Sequence, residues 1–154
     1  MSAAPRPTPG ARTDRRPPFR FSATLRVGFD ETDAQGVVYY GRYLPYFDRA
    51  RVEYHRDLGL LALLSSGDRE VVMRASSVEY RAPARFDDLL EVFVRAARLG
   101  TSSVTWECAA YGEDGTLLGT ATQTMVQIDV AARRSCPLDD GYRQALADFE
   151  GSAP

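Results

Sequence analysis

The stretch Asp33-Ala34-Gln35-Gly36-Val37-Val38-Tyr39-Tyr40 separates a strand-like alternation from an amphipathic helical pattern, and that order decides how the chain folds. Upstream, Phe21, Ala23, Leu25, Val27 and Phe29 point one way, and Ser22, Thr24, Arg26 and Gly28 the other. This period of two is that of a half-buried strand. Downstream, Tyr43, Leu44, Phe47, Ala50, Tyr54 and Leu58 recur at helical spacing on one face, with Arg49, Glu53 and Arg56 largely elsewhere. The spacing predicts a helix over 43–58, with Gly59 as its stop. Pro45 is tolerable there because first-turn N–H groups have no intrahelical partner.

The second half reads as continuous antiparallel sheet, with strands near 69–80, 88–99, 103–111 and 116–129. Glu113-Asp114-Gly115 joins the last pair as a hairpin turn. Val104, Trp106, Cys108 and Ala110 share a face, as do Val92, Val94 and Ala96, a face that Arg95 and Arg98 do not follow. A short helix near 138–148 closes the domain. One strand, one long helix and then a run of strands is an α+β order in which the sheet must wrap the helix. Exposed sheet edges need cover, so a homodimer or homotetramer is expected.

The 154 residues fit one domain, placed at residues 19–150, and 44% hydrophobic with 26% charged residues is ordinary for a globular chain. Residues 1–18 hold five prolines and little apolar content, and are expected to form a flexible tail. A net charge of −2 gives no bulk attraction to nucleic acid, so none is expected as a partner. All nineteen basic side chains are arginine, which removes any mechanism built on a lysine Schiff base, a P-loop lysine or a Ser-Lys dyad.

His55 is the sole histidine, and Cys108 and Cys136 lack CxxC spacing, so no metal site is expected. Asp30, Glu31 and Asp33 do not continue into the alternating oxygen ligands of a calcium loop. No apolar run approaches the roughly 20 residues that span a bilayer, and no signal-peptide core is present. The expected location is cytoplasmic, with both cysteines reduced.

Three segments resemble one known family. They are Asp33-Ala34-Gln35-Gly36-Val37-Val38-Tyr39, Tyr43-Leu44-Pro45-Tyr46-Phe47-Asp48-Arg49-Ala50-Arg51 with Glu53-Tyr54, and Val78-Glu79-Tyr80-Arg81-Ala82-Pro83-Ala84-Arg85-Phe86-Asp87-Asp88. In this order and separation the chain resembles, over roughly residues 21–130, the hotdog-fold acyl-CoA thioesterases of the 4-hydroxybenzoyl-CoA thioesterase type, in particular the branch associated with the Tol-Pal system. The resemblance implies a five-stranded antiparallel sheet wrapped around one long central helix, dimers or tetramers, and active sites at the subunit interface. It implies that Asp33 is the catalytic carboxylate and that the backbone N–H of Tyr40, with that of Tyr39 as a neighbour, polarises the thioester carbonyl. Coenzyme A is then part of the substrate and not a cofactor, with an acyl carrier protein as an alternative carrier.

The residues themselves fit this chemistry. A helix entrance offers unpaired N–H groups and a positive dipole end, beside which a carboxylate either attacks an activated acyl group or serves as base to water. The competing account of Asp33 is helix capping or loop hydrogen bonding. Gly36 suits a tight turn or close approach of the acyl group. Val38, Tyr39 and Tyr40 are expected in the pocket wall, Tyr43 and Phe47 in the core. Arg81 and Arg85 are candidates for the nucleotide phosphates, with surface ion pairing to Asp87 or Asp88 as the alternative. His55 reads as a surface or packing residue, and Asp48 as an acid serving the helix dipole or an arginine. Two rival functions remain at this stage: a hotdog acyl-CoA dehydratase or hydratase, and a non-catalytic acyl-binding protein.

Overall fold

Helix α1, Tyr43–Asp57, is the piece around which the other elements are placed. The structure, a computed structural model, describes residues 9–152. Pro45 falls in the first turn of α1, where its missing N–H costs nothing. Tyr46, Phe47, Ala50 and Tyr54 are wholly buried. Leu44, expected on that face, lies at its margin and is exposed.

The antiparallel sheet has the order β1-β2-β5-β6-β7-β4-β3, with β8 on β7. Its body is five long strands: β2 Phe21–Arg26, β4 Arg69–Tyr80, β5 Leu89–Leu99, β6 Ser103–Gly112 and β7 Leu117–Asp129. The expected count of five strands nevertheless needs correction to eight among the described residues. The short β1 (Gly10–Arg12), β3 (Ser65–Ser66) and β8 (Arg134–Ser135) take up backbone groups along β2, β4 and β7. The short closing helix expected near 138–148 is α2, Asp140–Glu150, which follows the sheet. Asp139 caps α2 by accepting the Tyr142 N–H at 3.1 Å.

Register shifts at Met73/Ala75, Ala96/Arg98 and Ala110/Tyr111 mark irregularities in the long strands. Such bulges raise local twist and help a sheet curl over a helix. Val92, Val94, Trp106, Cys108 and Ala110 are buried on the inner face, as their alternation predicts. The β6–β7 turn closes through Gly112 N–H to the Thr116 carbonyl at 3.0 Å.

Two expectations fail for identifiable reasons. Phe29 does not continue the inward alternation of β2: the chain turns at Gly28 into a 3-10 turn, Phe29–Glu31, which leaves the Phe29 ring 78% exposed. The tail expected over 1–18 lies outside the described residues as far as residue 8. From Gly10 onward the chain is instead attached, with β1 paired to β2, Arg15 ion-paired to Glu91 and the Arg16 guanidinium 3.6 Å from the Tyr111 ring centroid. Planar cations cover aromatic rings without needing an apolar side chain, so low hydrophobicity did not prevent docking.

His55 is a packing residue, 1% exposed. Its Nδ1 lies 2.7 Å from the Arg51 carbonyl and its Nε2 2.8 Å from the Tyr142 hydroxyl. A carbonyl only accepts, so Nδ1 carries the proton and the Tyr142 hydroxyl donates to Nε2. The neutral ring is thereby satisfied and joins α1 to α2. Burial pulls its pKa down to about 4, against the opposing bond to Arg51. Unfolded histidine titrates near 6.5, so as pH falls between these values the unfolded state binds the extra proton and stability is lost. Through this residue alone, the free energy of urea unfolding should drop by roughly 3 kcal/mol between pH 7 and pH 4. His55→Gln should flatten that part of the slope; an unchanged slope would assign the acid sensitivity elsewhere.

Candidate active site

The acidic turn is a small hairpin hung from the end of β2. Thr32 bridges Val38, Asp33 N–H donates to the Val37 carbonyl at 2.9 Å, and Tyr39 N–H donates to the Glu31 carbonyl at 2.9 Å. Gly36 N–H closes the tip onto the Asp33 carbonyl at 2.9 Å. Gly36 has φ +77°, and a Cβ there would meet nothing within 4 Å. The left-handed turn by itself accounts for a glycine here. Val38 N–H donates to the Ala84 carbonyl at 2.8 Å, which ties the hairpin to the segment following β4.

The chain then enters α1 through a 3-10 turn, Tyr40–Arg42. The first bonds of this entrance are donated by Arg42, to the Tyr39 carbonyl, and by Tyr43, to the Tyr40 carbonyl. The N–H groups of Tyr40 and Gly41 lie ahead of them, as the leading donors of a helix do. Tyr39 is different. Its N–H is committed to Glu31, so it is not available to a carbonyl, which corrects its expected role as a second donor.

A cavity of about 330 Å³ opens beside this entrance. Asp33, Tyr40, Tyr43, Tyr80 and Arg81 line it, over Val37, Val38, Ala82 and Pro83. One Asp33 oxygen, Oδ1, accepts the Gln35 N–H at 2.8 Å, the loop hydrogen bond of an Asx turn. This fixes the side chain while leaving the other oxygen without a hydrogen bond among the described residues. The Tyr43 hydroxyl is pushed up in pKa by burial first, and then by neighbouring Tyr80, so it remains protonated.

Of the residues expected to form the site, Asp33, Val38, Tyr40 and Arg81 meet in this cavity. Gly36 shapes the turn without lining it. The Tyr39 ring lies instead against Tyr40, with centroids 4.4 Å apart, and over Gly41, where a Cβ would meet Tyr39 Cε1 at 2.8 Å. Arg85 is exposed outside the lining, and its backbone N–H donates to Asp88 at 2.8 Å. Arg81 pairs with Glu79 at 2.6 Å, and not with Asp87 or Asp88. Asp48 pairs with Arg51, as its position one turn before that arginine suggests.

Sequence reasoning did not assign site roles to Tyr80 and Glu31. Tyr80 sits in the quoted Val78–Asp88 segment, just before a proline that ends the strand. That placement was the available signal. Glu31 is 6% exposed; its Oε1 accepts the Gly28 N–H at 2.8 Å and its Oε2 lies 3.7 Å from the Arg49 guanidinium. It thus anchors the foot of the hairpin to α1. Cys108 is buried, with its thiol pushed up to about 12, and is no nucleophile. Among the described residues no group of three or more His, Cys, Asp or Glu side chains is arranged to hold a metal.

The sequence model of the thioesterase-like superfamily matches residues 27–146, and the chain belongs to this superfamily. It has the hotdog plan of a curled antiparallel sheet about a helix, and it is a thioester hydrolase of that group. The acyl-CoA thioester hydrolase YbgC of Escherichia coli is 35% identical over 111 residues, covering 71% of this chain and 82% of that protein. A 1,4-dihydroxy-2-naphthoyl-CoA hydrolase of Synechococcus is 30% identical over 137 residues, covering 84% and 90%. The solved 1,4-dihydroxy-2-naphthoyl-CoA thioesterase of Synechocystis superposes with a TM-score of 0.78 at 24% identity, covering 86% of this chain and 98% of that one.

The anchoring of the hairpin can be tested directly. Glu31→Ala should lower unfolding free energy by about 1–3 kcal/mol, because the half-buried Gly28 N–H loses its acceptor. Glu31→Gln keeps an acceptor oxygen and should lose less, as read by urea titration of both variants.

Proposed function

We propose that this thioesterase hydrolyses an acyl-CoA thioester to a carboxylic acid and free coenzyme A, with Asp33 as the catalytic carboxylate. The observation that carries the reading is that Asp33 and the leading N–H end of the Tyr40 turn border one cavity. A thioester carbonyl seated there receives the Tyr40 N–H as attack develops charge on its oxygen, which stabilises the transition state. Asp33 either attacks the acyl carbon, expelling the coenzyme A thiolate and leaving a mixed anhydride for water to open, or takes a proton from the attacking water. Neither route calls on a metal or cofactor. Coenzyme A enters as part of the substrate, and an acyl carrier protein is the alternative carrier.

The tyrosyl rings of Tyr40, Tyr43 and Tyr80 favour a compact aryl acyl group, in keeping with the naphthoyl-CoA relatives. Arg81 at the cavity rim and exposed Arg85 suit the nucleotide phosphates. A hydratase reading asks for a histidine in the cleft. His55 has both ring nitrogens occupied between α1 and α2, which counts against it. Release of product, and not mere acyl binding, is what a carboxylate held with one free oxygen supports.

A homodimer or homotetramer completes this reading. From Val72 to Tyr80 the outer edge of β4 has no strand partner among the described residues, so a second copy has a row of backbone donors and acceptors to pair with. No described helix is long and apolar enough to cross a membrane, and a cytoplasmic location is part of the proposal.

Asp33→Asn should cut kcat by about a hundred- to ten-thousand-fold in an assay of released thiol. The mass by light scattering should stay that of the unmodified oligomer. Hydrolysis at the unmodified rate would remove Asp33 from the reaction. On a panel of substrates, benzoyl-CoA should be turned over with a higher kcat/KM than palmitoyl-CoA, and the reverse order would discard the aryl preference.

A further inference from the structure

Tyr80 ends β4 beside the cavity, with its ring held by two others. Its centroid lies 5.4 Å from that of Tyr43 at an interplanar angle of 78°, and 6.4 Å from that of Tyr40 at 79°. Edge-to-face pairs of this kind restrict a ring to one orientation. In that orientation the Tyr80 hydroxyl donates to the Tyr40 carbonyl at 3.1 Å. The same carbonyl also accepts the Tyr43 N–H at the start of α1.

The Tyr40 carbonyl and the Gly41 N–H belong to one peptide unit. Hydrogen bonds accepted by the carbonyl deepen the dipole of that unit and strengthen its N–H as a donor. Gly41 N–H stands next to Tyr40 N–H among the leading donors of the turn; Gly41 brings no side chain of its own, and the Tyr39 ring packs on the side where its Cβ would stand. Rotation of this peptide would swing its N–H away, and with the following amide fixed it is the Tyr80 hydroxyl that opposes such rotation from the β4 side.

We propose that Tyr80 is a positioning residue of the thioesterase reaction: its hydroxyl fixes and polarises the Tyr40–Gly41 peptide, so that the thioester oxygen is met by two adjacent N–H groups, those of Tyr40 and Gly41. The inference rests on the hydrolase reading and adds to it a second donor and the side chain that prepares it. Tyr80 touches no reacting atom in this scheme. It acts through the main chain of α1's entrance.

Tyr80→Phe removes one oxygen from a ring that is 49% exposed and leaves the aromatic packing in place. The expected result is a fall in kcat of about three- to tenfold, the worth of one net hydrogen bond, with KM within about twofold and the melting temperature unchanged. The Gly41 amide proton in a ¹⁵N-resolved NMR spectrum should shift upfield in the variant, since its peptide has lost an accepted bond. An unchanged kcat overturns the proposal, and so does a rise in KM alone, which would make Tyr80 only a wall of the cavity. If the unmodified protein releases no thiol from any acyl-CoA, the hydrolase reading fails separately. The Gly41 amide still decides the bond in that case, and a resonance that stays in place in Tyr80→Phe overturns it.

Discussion

A helix enclosed by a sheet can offer main-chain donors only at its entrance, and this constraint sets where chemistry is possible in the fold. Every N–H deeper in α1 is taken by the carbonyl four residues earlier. Tyr46, Phe47, Ala50 and Tyr54 are sealed against the inner sheet face, and the polar groups that meet this part of the helix, such as Gln123 on Arg51 and Glu150 on the Tyr54 hydroxyl, bond its side chains and not its backbone donors. At the entrance the situation reverses: Tyr43 is already buried, whereas Tyr40, one 3-10 turn earlier, is 62% exposed. The hairpin of Asp33 is tied to the same point by the Glu31–Tyr39 backbone bond. Carboxylate and donors are thus brought together because the chain must turn there to enter the curl.

The periodic parts of this arrangement were legible in the sequence, and the contingent parts were not. The helix, the four later strands and their hairpin follow from alternation and turn chemistry, which are local properties. The alternation of β2 reads on through Phe29, because periodicity cannot register that the Glu31 carboxylate folds back onto the Gly28 N–H and turns the chain outward. Burial of Glu31 is likewise invisible, since its partners Gly28 and Arg49 come from different elements. The docking of residues 10–20 depends on arginines finding Glu91 and Tyr111 across the sheet, and composition alone reports such a segment as unable to order. At the cavity, Asp33 stands on the lining while the Tyr39 N–H is already bonded to Glu31; a motif names a residue without saying which of its donors is already spent.

Arginine does work inside this fold that lysine would do poorly. Arg51 is 7% exposed, and its guanidinium donates to Gln123 Oε1 at 2.7 Å while pairing with Asp48. Gln123 in turn donates to Ser76 at 2.9 Å. A planar fork serves two acceptors in fixed directions, where an ammonium is a single, more strongly hydrated point. The network therefore joins α1 to β7 and β4 through the core at a cost that its hydrogen bonds offset, whereas removing one member would strand a buried charge. The absence of lysine from the sequence excludes some catalytic mechanisms and at the same time leaves the internal wiring intact.

The two margins of the sheet differ in a way that bears on the site. At one margin β1 lies along β2, so the edge nearest the N-terminal segment is occupied from within the chain. At the other, β3 covers only the first residues of β4, and the strand runs on toward Tyr80 without a further strand partner among the described residues. Tyr80, Arg81, Ala82 and Pro83 continue from that strand directly into the cavity wall. An edge strand that long needs a partner or a deterrent to stay soluble. A strand added to β4 would therefore also border this cavity, because the strand's last residue and the cavity's rim are consecutive in the chain.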